Sequence, residues 1–164
     1  MILQCFHLSY MELFKDVHFT IEENGLYLLY GKSGCGKTTF LHILSSLITN
    51  YEGEILLDHQ SLSKKQNAHL LSNIGIMFQN ECMIKEYTLL DHLKMVESNQ
   101  QKIDGILNRL DLLDKKNTKI ADLSLGQKQR ATLAFIALKR PPIILLDEPT
   151  SQLDQMHLTS CKEL

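Results

Sequence analysis

Gly31-Lys32-Ser33-Gly34-Cys35-Gly36-Lys37-Thr38 is the stretch on which the reading of this chain turns. It fits the spacing G-x-x-x-x-G-K-[ST], follows the apolar run Leu26 to Tyr30, and leads into a helical pattern that begins near Thr39. Glycines let consecutive backbone N–H groups turn inward around phosphate oxygens, and the N-terminus of the following helix adds its positive dipole end. In such a loop Lys37 reaches the β- and γ-phosphates and Thr38 ligates Mg²⁺. The candidate nucleotide-binding set is therefore Gly31, Lys32, Ser33, Gly34, Cys35, Gly36, Lys37, Thr38 and Thr39, with a nucleoside triphosphate and Mg²⁺ as the expected ligands. Cys35 reads as a small filler of the loop rather than a nucleophile, although its oxidation would block the site.

On the N-terminal side, Ile2 to Leu8, Val17 to Ile21 and Leu26 to Tyr30 read as short strands, with Asn24-Gly25 as the tight turn between the last two. These form a β-rich cap. On the C-terminal side, Phe40, Leu41, Leu44 and Leu47 recur at helical intervals, predicting a helix over Thr39 to Leu47. Gly53 then precedes a strand Glu54 to Leu57, and Ile74 to Phe78 reads as another. From Thr88 to about Leu113 the apolar positions Leu89, Leu90, Leu93, Ile103, Ile106, Leu107 and Leu110 recur at three and four, broken near Ser98 to Gln101, which fits two helices. Gly126 to Lys139 is a further helix, stopped by Pro141-Pro142. Ile143 to Leu146 is a continuous apolar run, the pattern of a strand buried on both faces. Together these elements describe an α/β protein: a P-loop core with a parallel sheet, an N-terminal antiparallel β cap, and a helical insertion from Thr88 to Lys119.

The composition sets bounds. A chain of 164 residues fits one domain, and 44% hydrophobic with 22% charged residues is a globular balance. A net charge of −2 argues against a broad nucleic-acid surface, and Lys64-Lys65 and Lys115-Lys116 read as solvated pairs. Cys5, Cys35, Cys82 and Cys161 show no C-x-x-C spacing, which suits a reducing, intracellular compartment. Seven histidines are scattered without H-x-x-x-H or H-x-x-H spacing, so no zinc site is expected. No apolar stretch approaches the roughly 20 residues of a membrane span. The expectation is a soluble chain whose membrane role, if any, comes through a partner.

The run Ile143 to Leu146 ends in Asp147-Glu148, which places two carboxylates at the C-terminal edge of a strand, where open α/β sheets bind ligands. Asp147 can hold Mg²⁺ directly or through water. Glu148 can polarise the water that attacks the γ-phosphate.

With these residues in place, the chain resembles the ABC-type ATPases. Leu123-Ser124-Leu125-Gly126-Gln127 followed by Lys128-Gln129-Arg130 is similar to that family's signature, L-S-G-G-Q then x-Q-R, some twenty residues before Asp147-Glu148-Pro149-Thr150. Ser151-Gln152-Leu153-Asp154 resembles the family's S-x-L-D element. Gln79, after Phe78, resembles its metal- and water-sensing glutamine, and Tyr10 the aromatic that stacks on adenine. The resemblance implies a catalytic set of Glu148, Gln79 and Lys37, metal ligation by Thr38, Gln79 and Asp147, and an anion site from Ser124, Gly126 and Gln127 that faces the γ-phosphate of a second subunit. It also implies ATP as the nucleotide and a head-to-tail dimer, of one chain or two, that closes on ATP and opens on hydrolysis.

The sequence departs from the pattern in two places. Leu125 stands where the signature has its first glycine, so strain is expected if that position needs a positive φ. The chain reaches Leu164 about ten residues past S-x-L-D, short of the strand and γ-phosphate-contacting histidine that the resemblance implies; His157 is too close to Asp154 to be that histidine. The expectation is one nucleotide-binding domain over residues 1–164, with a helical subdomain at about 80–122. Its expected role is the Mg²⁺-dependent ATPase subunit of an ABC transporter, cytoplasmic, docked on the inner face of the membrane through a membrane-spanning partner. Asn80 to Leu90, with Cys82, Met83 and Ile84, is the expected docking surface. The architecture looks most like ATPases of small exporters for peptides, antibiotics or lipoproteins. Two alternatives remain: an incomplete or regulatory cassette without turnover, and a soluble ABC ATPase outside transport.

Overall fold

The computed structural model describes residues 1–62, 72–77 and 83–147, which divide into two compact units, Met1–Ile74 and Gly75–Leu164. In the first, β1 (Leu3–Tyr10) pairs antiparallel with β2 (Phe14–Ile21) on one side and β3 (Glu52–Leu57) on the other, and β4 (Gln60–Ser61) extends β3. The order is β2-β1-β3-β4. Period-two alternation buries Leu3 and Cys5, then fails: the next buried residue of β1 is Leu8, three positions on. A register shift between Cys5 and Leu8 absorbs the extra residue, with His7 in the left-handed region at φ 50°. Helix α1 (Lys37–Leu44) buries Ile43 and Leu44, and its Phe40 stands edge-on to Phe14 of β2 at 5.7 Å between ring centroids and tilted against Phe19 at 5.8 Å. These ring contacts fix α1 on the hairpin.

One expected strand is not formed. Leu26 to Tyr30 joins no ladder among the described residues, and its side chains are 48–83% exposed. Apolar composition gives a segment strand propensity, but a strand exists only where a neighbour accepts its N–H groups. The expected elements elsewhere are present with shifted ends. β1 and β2 run to and from the tight turn at Tyr10–Phe14, β3 starts at Glu52, and α1 stops at Leu44, where Ser45–Leu47 turn off through Ser46 at φ 59°.

The second unit holds the remaining helices. β5 (Ile74–Met77) and β6 (Ile143–Leu146) form a parallel pair, and between them lie α2 (Leu89–Lys94), α3 (Gln100–Arg109) and α4 (Leu125–Lys139). The break between the expected helices is real, and each starts at its own cap. Thr88 and Asp91 make a reciprocal capping box on α2, and Asn99 accepts from Gln101 and Lys102 on α3. Leu89, Leu93, Ile103, Leu107, Leu110, Leu112 and Ile120 are fully buried and pack with Ala131, Ala134 and Ile136 of α4 in one core. Backbone bonds from Leu89 to Thr118 and from Ile120 to Tyr87 zip the two ends of the helical segment together.

β6 corrects the expectation of burial on both faces. Leu145 is buried, but Ile144 and Leu146 are 49% and 37% exposed. With β5 as its ladder neighbour, β6 is covered on the Leu145 face alone. Lys115 and Lys116 are not free solvated pairs either: Lys115 meets Asp114 at 2.8 Å and Lys116 meets Asp104 at 3.4 Å. Lys64-Lys65 lie outside the described residues, as does Phe78.

Candidate functional site

The phosphate-loop residues are placed by α1 and by the hairpin beneath it. Gly34 and Gly36 take φ of 78° and 93°, and Gly36 is the N-cap residue of α1. A Cβ on Gly36 would lie 3.2 Å from Leu13 Cβ and 3.4 Å from Phe14 Cδ1, so the loop leans directly on the β1–β2 turn. No side chain caps α1 and no acid sits in its first turn, which leaves the first N–H groups of the helix available to an anion. The Lys37 Nζ donates to the carbonyls of Gly31 at 3.0 Å and Lys32 at 3.1 Å, arching across the mouth of the loop. The loop is exposed from Gly31 to Cys35, and the Cys35 thiol is free. Thr38 and Thr39 follow on the first turn of α1.

Tyr10 ends β1 at the same turn, half-buried, with its ring 6.2 Å from that of Phe14. Phe14 in turn touches Phe40 of α1. A chain of rings thus links the expected adenine-stacking residue to the helix that carries Lys37 and Thr38. The supporting residues Leu13, Phe14 and Phe40 were not singled out by motif. The aromatic positions either side of the loop were the available signal.

In the second unit, Asp147 follows β6 directly. Its N–H donates to the Met77 carbonyl at 3.0 Å, extending the β5–β6 pairing by one residue. The residue is buried at 6% exposure, and its Oδ2 has no hydrogen-bond partner among the described residues. A buried carboxylate oxygen left open is costly, and a divalent cation is the ligand that such an oxygen suits. Glu148 and Gln79 lie outside the described residues, as do Cys82, Ser151, Leu153, Asp154 and His157.

The signature residues sit at the start of α4. The Ser124 N–H donates to Gln127 Oε1 at 2.9 Å and the Gln127 N–H donates to Ser124 Oγ at 3.3 Å, a capping box that builds the helix N-terminus from Ser124, Gly126 and Gln127 themselves. The expected strain at Leu125 is absent. It is the first residue of α4, not a positive-φ position, and its side chain is 45% exposed. Met83 packs on the core of its own unit rather than standing out as expected, while Ile84 and Tyr87 are 46% and 44% exposed. The nearby His92 is buried and accepts from the Ile84 N–H at 2.9 Å, which pins this turn to α2.

With a phosphate loop, a strand-end carboxylate and a signature helix in place, likeness to known proteins is decisive. The ABC transporter family model matches residues 14–151. The chain belongs to the ABC transporter family, as an ATP-binding subunit. HrtA of Staphylococcus epidermidis, named as a hemin import ATP-binding protein, is 32% identical over 157 residues, 89% of this chain and 71% of its own length. The methionine import ATP-binding protein MetN of Legionella pneumophila is 35% identical over 150 residues, 85% of this chain and 44% of its own length. This ABC chain thus spans less than half the length of MetN. Among solved structures, an ATP-binding subunit of an ABC transporter superposes with a TM-score of 0.87 at 21% identity, over 99% of this chain and 72% of its own, a likeness of fold. Among the described residues, no helix is long and apolar enough to cross a membrane.

Proposed function

We propose that this chain binds MgATP and hydrolyses it as the motor subunit of an ABC transporter. The observation that carries the reading is the uncapped N-terminus of α1, with two positive-φ glycines ahead of it and the Lys37 ammonium held over the loop by two backbone carbonyls. An ammonium parked on neutral carbonyls gives them up readily for phosphate oxygens, because there both partners of the bond carry charge. Residues Gly31 to Thr39 then cradle the phosphates, Tyr10 stacks on adenine, and Lys37 bridges to the β- and γ-phosphates. Thr38 and Asp147, with Gln79, hold Mg²⁺, and the open Asp147 Oδ2 supports that assignment. The ion supplies neutralisation of the β- and γ-oxygens when bound. Glu148 takes the proton of the attacking water, and Gln79 orients that water.

Ser124, Gly126 and Gln127 present a helix N-terminus to the γ-phosphate bound by a second subunit, identical or different. In this reading residues 1–164 act as one nucleotide-binding domain, cytoplasmic and peripheral on the inner face of the membrane. A membrane-spanning partner docks near Ile84 and Tyr87 and sets the cargo. The exporter expectation gains nothing from HrtA and MetN, both named for import.

The test is steady-state ATP hydrolysis against protein concentration, with Glu148→Gln and Lys37→Ala as controls and ATP binding measured in parallel. Turnover that rises more than linearly, vanishes in Glu148→Gln and is accompanied by ATP binding lost in Lys37→Ala is the expected result. ATP binding without turnover identifies a regulatory cassette instead. No binding at all refutes the phosphate-loop assignment.

A further inference from the structure

The β1–β2 hairpin carries a second constellation that the nucleotide chemistry leaves unused. His7 sits in the register shift of β1 at φ 50°, Asp16 lies on β2 at φ 55° with its N–H donating to Ser9 Oγ, and His18 stands two residues further along β2. Both left-handed positions turn their side chains out of the regular pleat. The result is convergence: His7 Nδ1 is 2.8 Å from Asp16 Oδ1, His18 Nε2 is 2.9 Å from the same oxygen, and the two rings stand edge to face at 4.2 Å. One ligand atom from each residue lies within 4.8 Å of the other two. All three side chains are exposed, at 76%, 71% and 42%, so an ion reaches them without opening the fold.

We propose that His7, Asp16 and His18 form a site for a divalent transition-metal ion, with Zn²⁺ as the best-suited probe. Two imidazoles and one carboxylate are a mixed nitrogen and oxygen set of the kind zinc takes with water in the fourth position, at about 2.0–2.2 Å per bond. Hard cations that demand six or more oxygens have too little here, since only one carboxylate is present. Donors placed about 2.1 Å from one ion in tetrahedral array stand roughly 3.4 Å apart. The present N···O separations therefore open by about half an ångström, within reach of side-chain torsions at exposed positions. Proton bookkeeping is simple. For neutral rings the proton leaves His7 Nδ1 for Nε2, and leaves His18 Nε2 for Nδ1. The shifts exchange the two hydrogen bonds to Asp16 Oδ1 for bonds to the ion, and the second also gives up the long 3.4 Å contact from the His7 N–H to His18 Nδ1. None of the three belongs to the proposed nucleotide set, so the site stands or falls independently of ATP binding.

The experiment titrates the full chain with Zn²⁺ against a chromophoric chelator, in a Cys35→Ser, Cys82→Ser, Cys161→Ser background that removes competing thiols. One ion per chain is expected, with affinity reduced about tenfold or more by His18→Ala and by Asp16→Asn. Ring-nitrogen NMR of the same background, with both histidines and Asp16 intact, guards against a variant that misfolds. Zn²⁺ is expected to shift His7 Nδ1 and His18 Nε2 while the resonances of His42, His59 and His92 hold still, and Mg²⁺ is expected to shift none of them. Absence of a stoichiometric ion, equal affinity in a His7→Ala, His18→Ala chain, or shifts confined to the other histidines overturns the assignment.

Discussion

Gly36→Ala tests how the phosphate loop is held. Two separate costs meet at this position. A Cβ on a residue at φ 93° is strained by about 1–2 kcal/mol, and this Cβ would press within 3.2 Å of Leu13 Cβ and 3.4 Å of Phe14 Cδ1. Overpacking of that kind adds about 1–3 kcal/mol, since the β1–β2 turn must shift to relieve it. The sum is a loss of roughly 3 kcal/mol. Gly34→Ala is the internal control: φ is 78°, but nothing lies within 4 Å of its Cβ, so only the strain of about 1–2 kcal/mol applies. Urea unfolding of both variants reads the stabilities, and ATP titration reads the loop. Gly36→Ala is expected to be the less stable by about 1–3 kcal/mol and to bind ATP more weakly than Gly34→Ala, because displacing Phe14 also disturbs its contact with Phe40 on α1. Equal losses in the two variants, or a Gly36→Ala chain within about 0.5 kcal/mol of the parent, would show that the hairpin does not buttress the loop.

Further outcomes follow from other contacts. Gly75→Ala brings a Cβ to 2.6 Å from Pro141 Cγ and 3.3 Å from Ile136 Cγ2, so a loss of about 1–3 kcal/mol is expected in urea unfolding, relieved in part by Pro141→Ala. Burial, only partly offset by a hydrogen bond involving the Leu8 backbone, pushes the Cys5 thiol up to about 11. In a Cys82→Ser, Cys161→Ser chain at pH 8, a disulfide reagent is therefore expected to label Cys35 quickly and Cys5 only after denaturation, and the labelled Cys35 to block ATP binding. Thr88→Ala removes the α2 cap and is expected to cost about 1 kcal/mol. The Thr88 hydroxyl, then its backbone N–H, hold the Asp91 carboxyl below its ordinary range. Its stabilising contribution is thus present above the unfolded value near 3.8 and disappears as pH falls through the lowered folded value. Acid unfolding of Asp91→Asn checks this, since the variant should lack that part of the pH dependence.

The helices were the most legible elements. Positions Leu89, Leu93, Ile103, Leu107 and Leu110 repeat at a helical period, and the starts of α2, α3 and α4 carry Thr, Asn and Ser caps, so for these helices local chemistry marks both face and boundary. Apolar runs were less reliable. Leu26 to Tyr30 and Ile143 to Leu146 have similar composition, yet one joins no ladder among the described residues and the other has one covered face. Whether such a run is buried depends on which neighbour meets it, and composition holds no record of that.

The same division runs through the sites. The phosphate loop and the signature helix are contiguous in sequence, where glycines, a lysine and a capping pair act within one turn of one another, so the sequence by itself determined them and, with them, the ABC family. Asp147 was legible as a strand-end acid, but its open Oδ2 appears only once β5 and β6 pair. His7, Asp16 and His18 were invisible to a search for helical spacing. The two histidines stand eleven positions apart, and only the antiparallel register with its shift between Cys5 and Leu8 turns them onto one carboxylate. Short-range chemistry is written along the chain. Convergence of distant side chains belongs to strand register, which tertiary pairing alone decides.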